Sequence, residues 1–141
     1  MKFRKSTLYA LHASTELAYL DPGDTITAAE VAERYGIPGS VMAKVFQELV
    51  RAEIAVGTRG QRGGYRLARP AAEVTLLEII DSFEPPAAGD GAAAAAPPTP
   101  DPFGARRLQR VFDEVSELVR CTYASISLET VIGGPAGTTA P

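Results

Sequence analysis

Four arginines, one tyrosine and no acid stand among the glycines of "RGQRGGYRLARP", residues 59–70. Glycines let a backbone turn tightly or approach a ligand closely, and arginines present planar donors to phosphates or base edges. The stretch lacks the glycine–lysine–serine/threonine ending of a nucleotide-binding loop. Two other side chains offer reactive chemistry, His12 and Cys121, one of each in 141 residues. That inventory excludes an intramolecular disulfide and any Cys-only metal site, and neither residue sits in a catalytic motif. The expectation is no enzyme, no metal and no cofactor. His12 reads as a partly buried structural side chain. Cys121 reads as a small buried hydrophobe or, alternatively, as a redox thiol.

Charge locates the basic loop. The whole chain carries −3. Residues 1–70 hold ten Lys/Arg against seven Asp/Glu, whereas residues 71–141 hold four against ten. One basic half in an acidic chain is the footprint expected of a single electropositive face. No apolar run approaches the ~20 residues of a membrane span. The opening "MKFRKSTLYALHAS" is a poor secretion signal and a fair amphipathic helix, so the expected compartment is the cytoplasm, with no membrane partner.

The elements around the loop follow from local signals. Ser6 is expected to cap a first helix with Ala10, Ala13, Leu17 and Leu20 on one face. Thr27 and Glu30 form a capping box that opens a short second helix. Gly36 then serves as its C-cap, and "YGIPGS" turns the chain toward Ser40, the expected N-cap of a third helix from about Val41 to Ala52. Met42, Val45, Phe46 and Leu49 make the apolar stripe of that helix; Ser40, Lys44, Gln47 and Arg51 make a polar one. "IAVGT" and "YRLA" flank the basic loop as a β-hairpin. A second Thr–Glu pair, Thr75 and Glu78, opens a fourth helix expected to bury Leu76, Leu77, Ile79, Ile80 and Phe83 and to end at Pro85–Pro86.

Composition divides the rest. Residues 85–102, "PPAAGDGAAAAAPPTPDP", read as an Ala/Pro-rich linker, expected to be disordered because it holds almost nothing that can be buried. In the segment 103–132, Leu108, Val111, Val115, Leu118 and Thr122 step by 3, 4, 3, 4, an a/d seam on a long helix followed by a short closing helix. That seam must fold back on its own chain or pair with a second copy. Residues 133–141 read as a disordered tail.

Two short helices joined by a glycine-containing turn form a helix-turn-helix pattern, and a hairpin directly after makes a winged helix. The expected fold is mainly α with a small β-hairpin: a winged helix-turn-helix domain, residues 1–84, plus a long C-terminal helix. In such a unit the third helix enters the major groove of double-stranded DNA, and the hairpin loop lies over backbone or minor groove. A helical hairpin alone, a polar stripe alone or a basic loop alone each has a bland reading. All three in order, in the basic half, point to DNA. The rival is a winged-helix module that docks an acidic protein partner.

The segments "KSTLYALHAS", "AAEVAERYGIPGSVMAKVFQELVRAEI" and "RGQRGGYRLARPAAEVTLLEIIDSFE" resemble the Rrf2 family of bacterial winged-helix transcription regulators, and "SISLETVI" resembles its closing helix. The resemblance implies a homodimer joined through the long helix, seamed by Leu108, Val111, Val115, Leu118 and Thr122. It implies a repressor that reads a palindromic operator. By position it implies that Ser40, Val41, Lys44 and Gln47 face base edges, and that Arg59 enters the minor groove with Gly60 and the added charge of Arg62 beside it. Tyr65 belongs to the hairpin, and Ser6 and Tyr9 meet phosphates. Ala43 departs from a position that is often polar in the family. Many members hold an iron–sulfur cluster on cysteines between the fourth and long helices; residues 85–102 carry none here, so a family-type cluster is not expected.

Overall fold

The computed structural model describes residues 2–60, 63–84 and 102–133. Three helices come first: α1 (Lys5–Ala18), α2 (Ala28–Tyr35) and α3 (Gly39–Arg51). An antiparallel hairpin of β1 (Ala55–Thr58) and β2 (Gly64–Leu67) follows, pairing Ala55 with Leu67 and Thr58 with Gly64. A 3-10 turn (Ala71–Glu73) leads into α4 (Leu76–Phe83), and α5 (Pro102–Ser125) and α6 (Leu128–Val131) follow. The fold is therefore mainly helical with one two-stranded hairpin, a winged helix-turn-helix followed by a long helix.

Helix α2 is defined at both ends by residues read from the sequence. The Thr27 side chain accepts from the Glu30 N–H at 3.1 Å, and the Glu30 carboxylate accepts from the Thr27 N–H at 2.8 Å. Gly36 ends the helix in the left-handed region, φ 63°, where a side chain would be strained. The two expected serine caps are corrected. α3 starts one residue before Ser40, because the Pro38 carbonyl already accepts from the N–H groups of Val41 and Met42, both at 3.1 Å. α1 starts at Lys5 with Arg4 as N-cap, which leaves Ser6 inside the first turn. What caps α1 lies eighty residues away: the Glu84 carboxylate accepts from the Arg4 N–H.

The apolar stripes of α1 and α3 meet in one core. Ala10, Ala13, Leu17, Met42, Val45, Phe46 and Leu49 are all buried there. In α4 only Ile79 and Ile80 are fully buried; Leu76, Leu77 and Phe83 are half-buried, because the helix packs at the edge of the core. Thr75 caps α4 through the Glu78 N–H at 3.2 Å, while the Glu78 carboxylate pairs with Arg69 instead of closing a reciprocal box. The expected stop at Pro85–Pro86 lies outside the described residues.

The chain returns after α5. Leu76 N–H bonds to Ile126 O and Leu128 N–H to Val74 O, both at 2.9 Å, and Leu128 and Ile132 enter the core built by the first half. The short closing helix thus packs with the winged helix rather than with α5. α5 is tied to α4 by a two-pronged pair: both guanidinium nitrogens of Arg120 reach the Asp81 carboxylate at 3.0 Å, which also raises the Arg120 pKa.

Candidate nucleic-acid interface

Burying one side of α3 decides what the other side shows. With Met42, Val45, Phe46 and Leu49 turned inward, Ser40, Lys44, Gln47 and Arg51 are all exposed, as is Val41. Ala43 is half-buried. A cleft lies on each side of this exposed strip. On the wing side a cleft of about 570 Å³ is lined by Gln47, Val50, Thr58, Arg59 and Tyr65. On the other side a cleft of about 350 Å³ is lined by Ser6 of α1, Val41, Lys44 and Glu48 of α3, and Ser82 and Phe83 of α4. Lys44 and Gln47 thus stand on opposite rims of the same helix.

The wing is fastened to the core rather than hanging from it. Tyr65 exchanges backbone hydrogen bonds with Ile26, 2.8 and 3.0 Å, and its ring stacks on Phe46 with centroids 4.5 Å apart. Tyr65 therefore anchors the hairpin while lining the cleft. The loop closes through glycine: the Gly63 N–H bonds to Gly60 O at 2.8 Å, and a Cβ on Gly63 would come within 2.8 Å of Gly60 O and Thr58 O. Gly60 has φ +120°, which side chains rarely adopt. Arg59 is exposed at the start of this loop. Arg62 lies outside the described residues.

Arg34, Arg51, Arg69 and Arg120 each have a carboxylate partner. Among the described residues, Lys44 and Arg59 have none within salt-bridge distance, so their charges face solvent from either side of α3. Ser6 and Tyr9, expected to meet phosphates, are half-buried; Ser6 lines the smaller cleft and Tyr9 packs against the core.

The seam of α5 stands open. Leu108, Val111, Val115 and Leu118 are between 51% and 68% exposed, and Phe112 beside them is 54% exposed. Thr122 is exposed too, its hydroxyl turned back to Leu118 O at 2.8 Å. Cys121, read as a small buried hydrophobe, is exposed instead, with Sγ 3.8 Å from a Glu117 carboxylate oxygen. The half-buried side of α5 is instead that of Ala105, Gln109, Val119 and Tyr123, whose ring lies 5.9 Å from Phe3. His12 is also exposed, with one face of its ring covered by Tyr35 at 4.7 Å, which corrects the expectation of partial burial. The Tyr35 hydroxyl donates to Glu16 at 2.6 Å; burial first, then this bond, push its pKa up to about 12.

Among the described residues no helix is long and apolar enough to cross a membrane, and no group of three or more His, Cys, Asp or Glu side chains is placed to hold a metal.

Residues 3–134 match the sequence model of the Rrf2 family, described as iron-dependent transcriptional regulators. BadM of Rhodopseudomonas palustris, named as an HTH-type transcriptional regulator, is 35% identical over 132 residues, 94% of this chain and 81% of BadM. Two solved structures share the fold at 21% identity. CymR of B. subtilis, described as the global cysteine regulator, superposes with a TM-score of 0.76 over 93% of this chain and 95% of its own. The oxidized form of Staphylococcus aureus CymR also gives 0.76, over the whole of both chains. The family's iron is not matched by donors here: the chain has a single cysteine, on an exposed helix face, and a single histidine, and iron–sulfur clusters need thiolates for most of their ligands. With its match to the family model across nearly its whole length, the chain belongs to the Rrf2 family of transcriptional regulators.

Proposed function

We propose that this chain is a DNA-binding regulator that acts as a homodimer, recognises a palindromic operator without an iron–sulfur cluster, and represses by blocking promoter access. The observation that carries the reading is the exposed strip of α3, bordered by a cleft on each side, with the charges of Lys44 and Arg59 facing solvent. A helix seated in the major groove has a phosphate backbone on either side of it. The two clefts offer those backbones a place, one beside the wing and one beside the start of α1.

In this arrangement Ser40, Val41, Lys44 and Gln47 face base edges. Gln can read adenine through two hydrogen bonds, and Lys can donate to guanine acceptors. Arg59 and Arg62 extend toward the minor groove, with Gly60 admitting close approach. Ser6 and Tyr9 lie toward a phosphate. The exposed stripe of α5 supports the homodimer, since an uncovered apolar face of that length is a liability unless a second copy covers it. Two-fold symmetry in the protein then asks for two-fold symmetry in the site.

Selection from a random-sequence duplex library tests this. A palindrome should emerge, and log K for it should fall about five units per decade of salt if about six phosphates are neutralised. Arg59→Ala should weaken binding and soften the preference for A·T beside each half-site; unchanged binding would remove the minor-groove role. Failure to select any sequence, with only a shallow salt dependence, would favour docking of an acidic protein instead. The exposure of Cys121 favours a second reading, in which peroxide oxidises its thiolate to a sulfenate and alters binding. Cys121→Ser should then abolish any oxidant response.

A further inference from the structure

The cleft beside α1 is built from three helices, and two of its walls are helix ends. Ser6 belongs to the first turn of α1; Ser82 and Phe83 belong to the last turn of α4. Such ends need to be held, because their terminal backbone groups lack partners within the helix. One residue holds both. Glu84 is the C-cap of α4, its own N–H bonded to Ile80 O at 2.8 Å. Its carboxylate oxygen Oε1 accepts from the Arg4 N–H at 2.8 Å and from the Thr7 hydroxyl at 2.7 Å. Thr7 is completely buried, which leaves its hydroxyl little freedom to find another acceptor. The carboxylate also lies at the N-terminal end of α1, where the helix dipole favours a negative charge.

We propose that Glu84 is a positioning residue for DNA contact: by clasping the first turn of α1 to the last turn of α4, it sets Ser6 opposite Lys44 across the cleft that receives one strand's phosphates. The inference rests on the DNA-binding reading above. Glu84 touches no nucleic acid in this scheme; it acts through Thr7 and Arg4 on the wall to which Ser6 belongs.

Charge and geometry make opposite demands, and this gives the test its edge. A carboxylate near a phosphate backbone repels it, so on charge alone its removal improves binding. If Glu84 positions the wall, its removal weakens binding. Glu84→Ala should weaken binding to the duplex selected from the random-sequence library by about tenfold, equivalent to one ordinary contact. Because Ser6 is neutral and displaces no counterion, the salt slope should stay near the wild-type value, which separates a misplaced hydroxyl from a lost cation. Glu84→Gln keeps the acceptor while shedding the charge, so it should restore binding to the wild-type level. Thr7→Val removes one of the two donors and should weaken binding in the same direction as Glu84→Ala, by less, because the Arg4 bond remains. The double variant should then be no weaker than Glu84→Ala alone, since that substitution already removes the acceptor that Thr7 uses.

Circular dichroism and sedimentation would verify that each variant folds and assembles. If Glu84→Ala does not fold, Thr7→Val and Glu84→Gln still decide the matter through affinity, the first weakening binding and the second leaving it at the wild-type level. Wild-type affinity in both Glu84→Ala and Thr7→Val would overturn the proposal, as would tighter binding by Glu84→Ala. If wild-type protein selects a site and Arg59→Ala weakens it while Glu84→Ala does not, only the role of Glu84 falls. If wild-type protein selects no DNA, the reading beneath it falls first, and this one with it.

Discussion

Helices α3 and α5 carry the same kind of pattern and meet opposite fates. In α3, Met42, Val45, Phe46 and Leu49 are at most 3% exposed, and the polar residues face out. In α5, Leu108, Val111, Val115 and Leu118 recur just as regularly, yet each remains more than half exposed. Helical periodicity says that a face is apolar; it does not say what covers it. The chain covers the α3 stripe with α1, α2, the hairpin and α4. α5 is tied to the winged helix near its C-terminal end, through Arg120–Asp81 and Tyr123–Phe3.

Deleting the centre of the covered stripe should have the largest effect. Phe46→Ala removes the ring that packs on Tyr65 and should cost about 3–5 kcal/mol of stability. Denaturant unfolding checks it, and a loss below about 1 kcal/mol would mean that the stripe is less tightly packed than the structure has it. The matching change on the open stripe should separate assembly from folding. Val111→Glu with Val115→Glu should leave the thermal transition of the winged helix intact, turn the proposed dimer into a monomer on sedimentation, and cost ~10²–10⁴ in affinity for the selected duplex as bivalency is lost. A double variant that stays dimeric would break the contrast between the helices.

Smaller changes sharpen what α3 shows to solvent. Lys44→Ala should shift sequence preference at one base pair by about 1–3 kcal/mol if the amine reads a base. Competition binding with single-base variants of the site would show this; equal weakening on every sequence would make Lys44 a phosphate contact. Thr27→Ala removes the cap that starts α2 and should cost ~1 kcal/mol, read as a shift in the unfolding midpoint. Smallest is the response at high pH. Burial and the Glu16 bond favour the neutral phenol of Tyr35, so its contribution to stability is complete below the ordinary pKa of 10.0 and fades as pH rises through about 12. Phenolate absorbance should show one tyrosine ionising after the others, and Glu16→Gln should bring it part of the way back.

Much of the first half could be read because its determinants are local. The Thr27–Glu30 box spans three residues, Gly36 needs only its own dihedral freedom, and the stripe of α3 is a matter of spacing along one helix. The serine caps at Ser6 and Ser40 were misplaced because a competing acceptor was closer or better held: the Pro38 carbonyl in one case and the Glu84 carboxylate in the other. The anchoring of Tyr65 on Phe46, the return of Leu128 into the core and the clasp from Glu84 to Thr7 join residues 19, 54 and 77 or more positions apart in the cases of Phe46–Tyr65, Val74–Leu128 and Thr7–Glu84. No local pattern announces them.

The sequence by itself determined where helices begin and end to within a residue or two, which faces are apolar, that the basic charge gathers in the winged half, and that iron–sulfur ligands are missing. These are properties of short windows and of composition, governed by dihedral preference, capping and the 3.6-residue period. Only the tertiary structure decided that α3 is bordered by two clefts, that the wing is braced by an aromatic stack, and that Glu84 joins two helix ends. It also decided which apolar stripe is covered. Those outcomes depend on which surfaces compete successfully for burial once the whole chain has collapsed, and that competition is settled among residues far apart in sequence.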